Sequence, residues 1–334
     1  MDIIKMMMFD LNWSKHDRPH QCNLPSSPQD WAWVDPQAYF DWQVGVGNNT
    51  IFLQAYTYGG YAFYPTRLGP VPPGPGQHLL PKVFELSRRA GLPFCSYFCV
   101  GADVATNGYH GEWVIPGSRR TWSHGFLGPE SPWTDLLCAR VREFLREYPV
   151  DWLMFDWFCY GDLKTDFQVQ PYWFVKEPFA RIIGRPMPEE ASQITAGESL
   201  QYKRQVLTEQ FYRLRDAVKQ TSPQTRISFT PPYWGPADPQ WVDHPMLAES
   251  DMLLAEFSSE ETMAWLQGIR KPGQRLMGTV MNVHGPMSPE EMAKWAQQGC
   301  DLSGYLWGTP PVFAPHPAHV AGMEAVRRGF ALIG

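Results

Sequence analysis

Two hydrophobic periods alternate along this chain of 334 residues. Short β-like runs are followed by stretches whose apolar residues recur every three or four positions. That is the pattern of βα units built around a parallel sheet. Eight runs read as strands: Lys5–Leu11, Thr50–Tyr56, Pro93–Val100, Asp151–Trp157, Arg226–Thr230, Asp251–Phe257, Leu276–Asn282 and Gly304–Trp307. Helical spacing marks Leu79–Ala90, Trp133–Tyr148 and Ser199–Gln220, the last with Leu207, Phe211, Leu214 and Val218 on one face. Ser288 is placed to cap a helix over Pro289–Gln298, with Glu291 completing a capping box. Gly91 and Gly299 stand where helix ends are wanted before the third and eighth strands.

Eight βα repeats in this length predict a (β/α)8 barrel, with residues 1–334 forming one catalytic domain. A doubly wound sheet is the competing α/β architecture, but no glycine-rich phosphate fingerprint follows the first strand. Extra length falls after strands, over residues 57–78, 101–131 and 158–198, which read as long irregular loops. In a barrel those loops lie on the C-terminal face, where chemistry is carried out.

Composition narrows the class. The chain is 44% hydrophobic and 19% charged, which excludes disorder and coiled coil. A net charge of −6 lacks the basic face that a nucleic acid or an anionic membrane would need. The apolar runs are strand-length, too short to span a bilayer. Fifteen Trp are far more than an ordinary domain carries, and indoles serve both barrel cores and platforms for sugar rings. The six cysteines form no CxxC pair and read as free buried thiols, consistent with a cytoplasmic protein; the N-terminus lacks a signal cleavage site. A homo-oligomer is compatible with all of this.

Candidate chemistry gathers at the strand ends. In Trp152-Leu-Met-Phe-Asp156-Trp-Phe one carboxylate closes an apolar strand, and a buried Asp is costly unless it is paired or used. Strand six ends in the same way, in Met252-Leu-Leu-Ala-Glu256, with Met252, Leu254 and Glu256 on one face. Two carboxylates facing each other across a barrel mouth meet the requirement of glycoside hydrolysis, one attacking the anomeric carbon and one protonating the leaving oxygen. Glu260 and Glu261 are rivals for the acid. Asp10 ends strand one beside Trp13 and reads equally as a sugar-hydroxyl ligand or a structural tie. Further polar and aromatic groups recur at the same end: Tyr58 and Tyr61 after strand two, Tyr97, Cys99 and Asp103 at strand three, Trp157, Tyr233, His284 and Trp307.

Metal chemistry competes, since His16 with His20 and His316 with His319 are spaced as ligand pairs. No HxH ends strand one, and no carboxylates stand at fixed spacing from either pair, so no metal and no cofactor are expected.

The run Gly60-Tyr-Ala-Phe-Tyr-Pro-Thr66, followed by Gly91-Leu-Pro and Tyr148-Pro-Val-Asp-Trp-Leu-Met-Phe-Asp156, resembles a group of glycoside hydrolases related to the α-L-fucosidases. The resemblance covers roughly residues 5–230 and implies a TIM barrel with Asp156 as nucleophile. It departs at Tyr56 and Tyr58, where relatives tend to carry Lys and His. The expectation is a retaining glycosidase with Asp156 ionised as nucleophile and Glu256 protonated as acid/base. Asp10, Trp13, Tyr58, Tyr61, Tyr97, Trp157, Tyr233, His284 and Trp307 would bind the carbohydrate. A non-catalytic carbohydrate-binding barrel and a metal-dependent sugar isomerase or lyase, its site built from Asp10, Asp156, Glu256 and His284, are the alternatives.

Overall fold

The computed structural model describes residues 2–13, 26–118, 125–161, 167–230, 240–256, 259–282, 285–306 and 317–334. Eight parallel strands form a nearly closed barrel: β1 (Lys5–Phe9), β2 (Ile51–Tyr56), β3 (Phe94–Cys99), β4 (Trp152–Asp156), β5 (Arg226–Thr230), β6 (Met252–Ala255), β7 (Arg275–Asn282) and β8 (Asp301–Leu306). From β2 to β8 each strand pairs with the next in sequence, and β8 returns to β1. A two-residue strand, Gly285–Pro286, folds back antiparallel on β7. The (β/α)8 expectation holds, and every expected strand is present. β8 begins three residues earlier than its apolar run suggests, because its first turn is polar: Asp301 is buried against the Arg275 guanidinium and accepts the Ile4 N–H at 2.8 Å.

The two-residue pleat sorts the side chains. Met6 and Met8, Met154 and Asp156, Leu254 and Glu256, and Ser303 and Tyr305 point into the barrel. Their alternates face the helices. Phe229 packs at 4.9 Å on Phe211 of α6 (Ala196–Thr221), and Phe98 at 5.5 Å on Phe144 of α4 (Trp133–Glu147).

The helices α2 (Leu79–Arg89) and α9 (Pro289–Gln297) fall where the spacing places them, and the Ser288/Glu291 capping box is formed. Gly91 (φ +66°) ends α2, its N–H on the Arg88 carbonyl and the Leu92 N–H on that of Ser87. The long loops are less irregular than expected. Residues 101–131 contain α3 (Val104–Tyr109), capped by Asp103, and residues 158–198 contain α5 (Lys176–Ile183). Asp103 is a structural residue: Oδ1 caps the Thr106 N–H at 2.7 Å and Oδ2 pairs with Arg140 at 2.7 Å, both side chains buried. The helix before β2, α1 (Pro36–Val46), has no counterpart among the expected elements, because its buried face carries Gln43 beside Tyr39 and Val46.

That polar helix face explains how the barrel closes. Among the described residues no backbone ladder joins β1 to β2; side-chain amides span the seam instead. Asn48 accepts the Met7 N–H at 2.8 Å and donates to the Met7 carbonyl at 2.9 Å. Asn49 does the same one step below, accepting the Lys5 N–H at 2.8 Å and donating to the Ile3 carbonyl at 2.7 Å. Gln54 accepts the Leu11 N–H at 2.6 Å and donates to Asp10 Oδ1 at 2.8 Å. Gln43 reaches in from α1 to accept the Phe52 N–H at 2.8 Å, and Tyr39 donates to the Phe52 carbonyl at 3.0 Å. Buried backbone groups demand partners, and these amides supply them where a ladder does not.

Five cysteines, Cys95, Cys99, Cys138, Cys159 and Cys300, are free and buried; Cys22 lies outside the described residues. Among the described residues no helix is long and apolar enough to cross a membrane.

The seam makes a stability prediction. Asn48→Ala orphans the Met7 N–H and C=O in a buried site and is expected to cost about 2–4 kcal/mol in urea unfolding. Gln37→Ala on the exposed face of the same region should stay within about 0.5 kcal/mol. Equal, small losses for both would show that the amide seam is dispensable.

Candidate active site

Asp156 is the last residue of β4, and the alternation that buries Leu153 and Phe155 against the helices turns Trp152, Met154 and Asp156 inward. Its carboxyl is buried. Oδ2 accepts the Tyr97 hydroxyl at 2.9 Å, and Oδ1 has no hydrogen-bond partner among the described residues. Glu256 follows β6 directly and lines the same cavity, together with Tyr305 and Thr279. The cavity holds about 30 Å³, room for one or two waters between Met6, Met8, Phe52, Met154 and Leu254. It is the inner end of the barrel mouth.

A third acid, Asp10, lies near enough to act on both. Burial pushes the Asp156 carboxyl up to about 7, the nearby Asp10 adds to the rise, and the Trp157 backbone and the Tyr97 hydroxyl offset part of it. Glu256 is raised well above the usual carboxylate range by burial and by repulsion from Asp156 and Asp10, with the Tyr305 hydroxyl pulling the other way. The expectation that Asp156 stays fully ionised is therefore corrected. The groups acting on it are a phenol, a peptide and another acid, so burial outweighs what stabilises the anion.

Asp10 is tied into the barrel. Its Oδ1 accepts the Asn12 N–H at 2.9 Å and the Gln54 amide at 2.8 Å, which links the rim to the β1–β2 seam. Asn12 continues outward, accepting the Tyr58 N–H at 2.8 Å and donating to the Tyr97 hydroxyl at 3.3 Å. Trp13, Tyr58 and Trp157 come together as expected: Tyr58 lies 5.0 Å from Trp13 and 4.7 Å from Trp157, and Phe126 stacks on Trp157 at 5.8 Å. Trp157 adopts φ +56°, a strained conformation for a bulky residue immediately after Asp156. Gly101 accommodates it, since a Cβ there would come within 2.3 Å of the Trp157 carbonyl.

Other expected residues are placed differently. Tyr97 is fully buried and bonds to Asp156. Tyr61 is half-buried, and the ionisable groups acting on it are Tyr109, Asp103 and Asp30, not the three acids. Glu260 and Glu261 lie in the exposed first turn of α8 (Glu260–Ile269), whose N-cap is Ser259. Tyr233, His284 and Trp307 lie outside the described residues. Among the described residues no three His, Cys, Asp or Glu side chains form a group that could hold a metal ion.

No protein-family model matches the chain, and no curated protein matches it by sequence. Solved structures do. α-L-Fucosidase isoenzyme 2 from Paenibacillus thiaminolyticus superposes with a TM-score of 0.72 over 99% of this chain, at 13% identity. This chain shares its fold with a fucosidase. An unliganded α-L-fucosidase from Lactobacillus casei gives a TM-score of 0.50 at 12% identity, over 92% of this chain and 81% of its own. The chain spans about half the length of the Paenibacillus enzyme, 49% of it.

Tyr305, in the aromatic Tyr305-Leu-Trp307 end of the eighth strand, does reach the cavity, whereas Gln54, Asn12 and Glu130 carry no signal of a role at the strand ends. Glu130 carries no periodic signal. Its carboxyl accepts the hydroxyls of Tyr160, at 3.0 Å, and Tyr202, and burial raises it to about 7. Neither Asp156 nor Glu256 is among the groups that act on it.

The raised Asp156 predicts a pH dependence of stability. Unfolded, the group titrates near its ordinary 3.8; folded, near 7. Between those values the native state holds the extra proton, so stability falls as pH rises through the window and levels off above it. Asp156→Asn removes this dependence. Its melting temperature should exceed the wild type's by more at pH 8 than at pH 5, and equal differences at both would contradict the assignment.

Proposed function

We propose that this protein is a retaining glycoside hydrolase of the α-L-fucosidase type. One observation carries the reading: two carboxyl groups, from the ends of β4 and β6, line one cavity at the barrel rim, where burial raises both and their mutual repulsion disfavours ionising the two together. Separated acid/base character is what double displacement needs. Asp156 attacks the anomeric carbon while Glu256, whose burial and acidic neighbours favour its protonated form, gives that proton to the departing glycosidic oxygen. Glu256 then takes a proton from water, which displaces Asp156 from the sugar. Trp13, Tyr58 and Trp157 supply the aromatic wall for the ring, and Asp10 bonds a sugar hydroxyl at its margin; Tyr233, His284 and Trp307 are assigned to the same subsite from their sequence positions alone. The buried, unbridged thiols suit the cytoplasm.

A second reading, a carbohydrate-binding barrel without turnover, is favoured by Tyr56 and Tyr58, which stand where the glycosidases this sequence resembles tend to carry Lys and His.

A panel of 4-nitrophenyl glycosides separates the two. α-L-Fucoside hydrolysis is expected. Asp156→Ala should abolish it, with azide restoring activity as a glycosyl azide of inverted configuration. Glu256→Ala should lower kcat/KM about 10²–10⁴-fold for substrates with poor leaving groups and spare the first step for good ones. Saturable sugar binding without turnover of any substrate, unchanged in Asp156→Asn, would replace the hydrolase with the binding barrel.

A further inference from the structure

The Tyr97 phenol is fully buried on β3, with its ring 6.4 Å from that of Phe52 across the barrel wall. It offers no face to a ligand. Its hydroxyl stands between two partners, donating to Asp156 Oδ2 at 2.9 Å and accepting from the Asn12 side-chain amide at 3.3 Å. A phenol has one proton, so the amide bond on its lone pair commits that proton to Asp156. Asn12 is in turn fixed from both sides, by the Tyr58 N–H on its Oδ1 and by its own N–H on Asp10. The direction of the whole chain is set: Asn12 to Tyr97, Tyr97 to Asp156.

We infer that Tyr97, oriented by Asn12, is a positioning residue that anchors Oδ2 of Asp156 and leaves Oδ1 as the oxygen that meets the anomeric carbon. The inference rests on the hydrolase reading for its use, but not for its physical content. Oδ1 has no partner among the described residues, whereas Oδ2 is held by the phenol. The anchor also favours the ionised form, because a hydroxyl hydrogen bond stabilises a carboxylate more than a carboxylic acid. Among the described residues the titratable groups facing Asp156 are Tyr97, Asp10, Glu256 and Cys99, none of which carries positive charge. The phenol is thus the side-chain support of the anion, beside the Trp157 backbone, in a site where burial and neighbouring acids oppose it.

The test reads the carboxyl itself. In full-length protein with 13C-labelled aspartate side chains, Asp156→Asn identifies the Asp156 carboxyl signal. Tyr97→Phe should raise its titration midpoint by about one pH unit or more, the worth of a hydrogen bond to a charged group. Asn12→Ala should raise it less, in the same direction, and serves as the readout if Tyr97→Phe fails to fold. In the enzyme, the acid limb of kcat/KM for Tyr97→Phe should move to higher pH while KM stays near the wild-type value. An unmoved Asp156 midpoint in a folded Tyr97→Phe or Asn12→Ala protein overturns the inference. If the midpoint moves but no glycoside is hydrolysed by the wild type, the hydrolase reading fails and the anchor stands.

Discussion

The barrel brings Asp156 and Glu256 into one cavity, lined mainly by methionine, leucine and phenylalanine with Thr279, Ser303 and Tyr305, and sets Asp10 close enough to act on both. Each charge placed there raises the cost of the next, because the walls screen poorly. The rim arrangement answers to that constraint. Asp10 is held by amides and Asp156 by a phenol, while Glu256 is pushed well above the usual carboxylate range by burial and by the other two acids, with the Tyr305 hydroxyl pulling the other way.

The same amides join the chemistry to the architecture. β1 and β2 are held together by Asn48, Asn49 and Gln54 in place of a ladder, and Gln54 is also a ligand of Asp10. Asp10 binds the Asn12 N–H, and Asn12 reaches Tyr97. The seam and Asp156 therefore belong to one hydrogen-bonded network, in which a side chain that closes the barrel also sets the register of the first loop. Strain sits next to it: Trp157 takes a left-handed conformation and is wedged against Phe126, Tyr58 and Trp13, which aims β4's end at the cavity.

Much of this was legible in the sequence, for identifiable reasons. The strands announce themselves through apolar runs, and a lone carboxylate closing such a run, as at Asp156 and Glu256, stands out because burying it is costly. What a run cannot disclose is the partner across the sheet. Tyr97 alternates correctly for an inward side chain, but only the adjacency of β3 and β4 shows that its hydroxyl meets Asp156 and not a sugar. Gln43, Gln54 and Asn48 look like interruptions of hydrophobic pattern, and α1 was invisible for that reason. The ionisation of Asp156 was misjudged on the same ground, since its proton affinity is set by Asp10 and by burial, neither of which neighbours it in sequence.

The central claim is that Asp156 forms the covalent bond to sugar. It is tested most directly by trapping the glycosyl-enzyme with an activated fluorosugar of the fucose series and mapping the modified peptide by mass spectrometry. One sugar should be added per chain, on the peptide containing Trp152–Asp156, with fragmentation placing it on the Asp156 side chain. Labelling at Glu256, Asp10 or Glu130 instead would contradict the account.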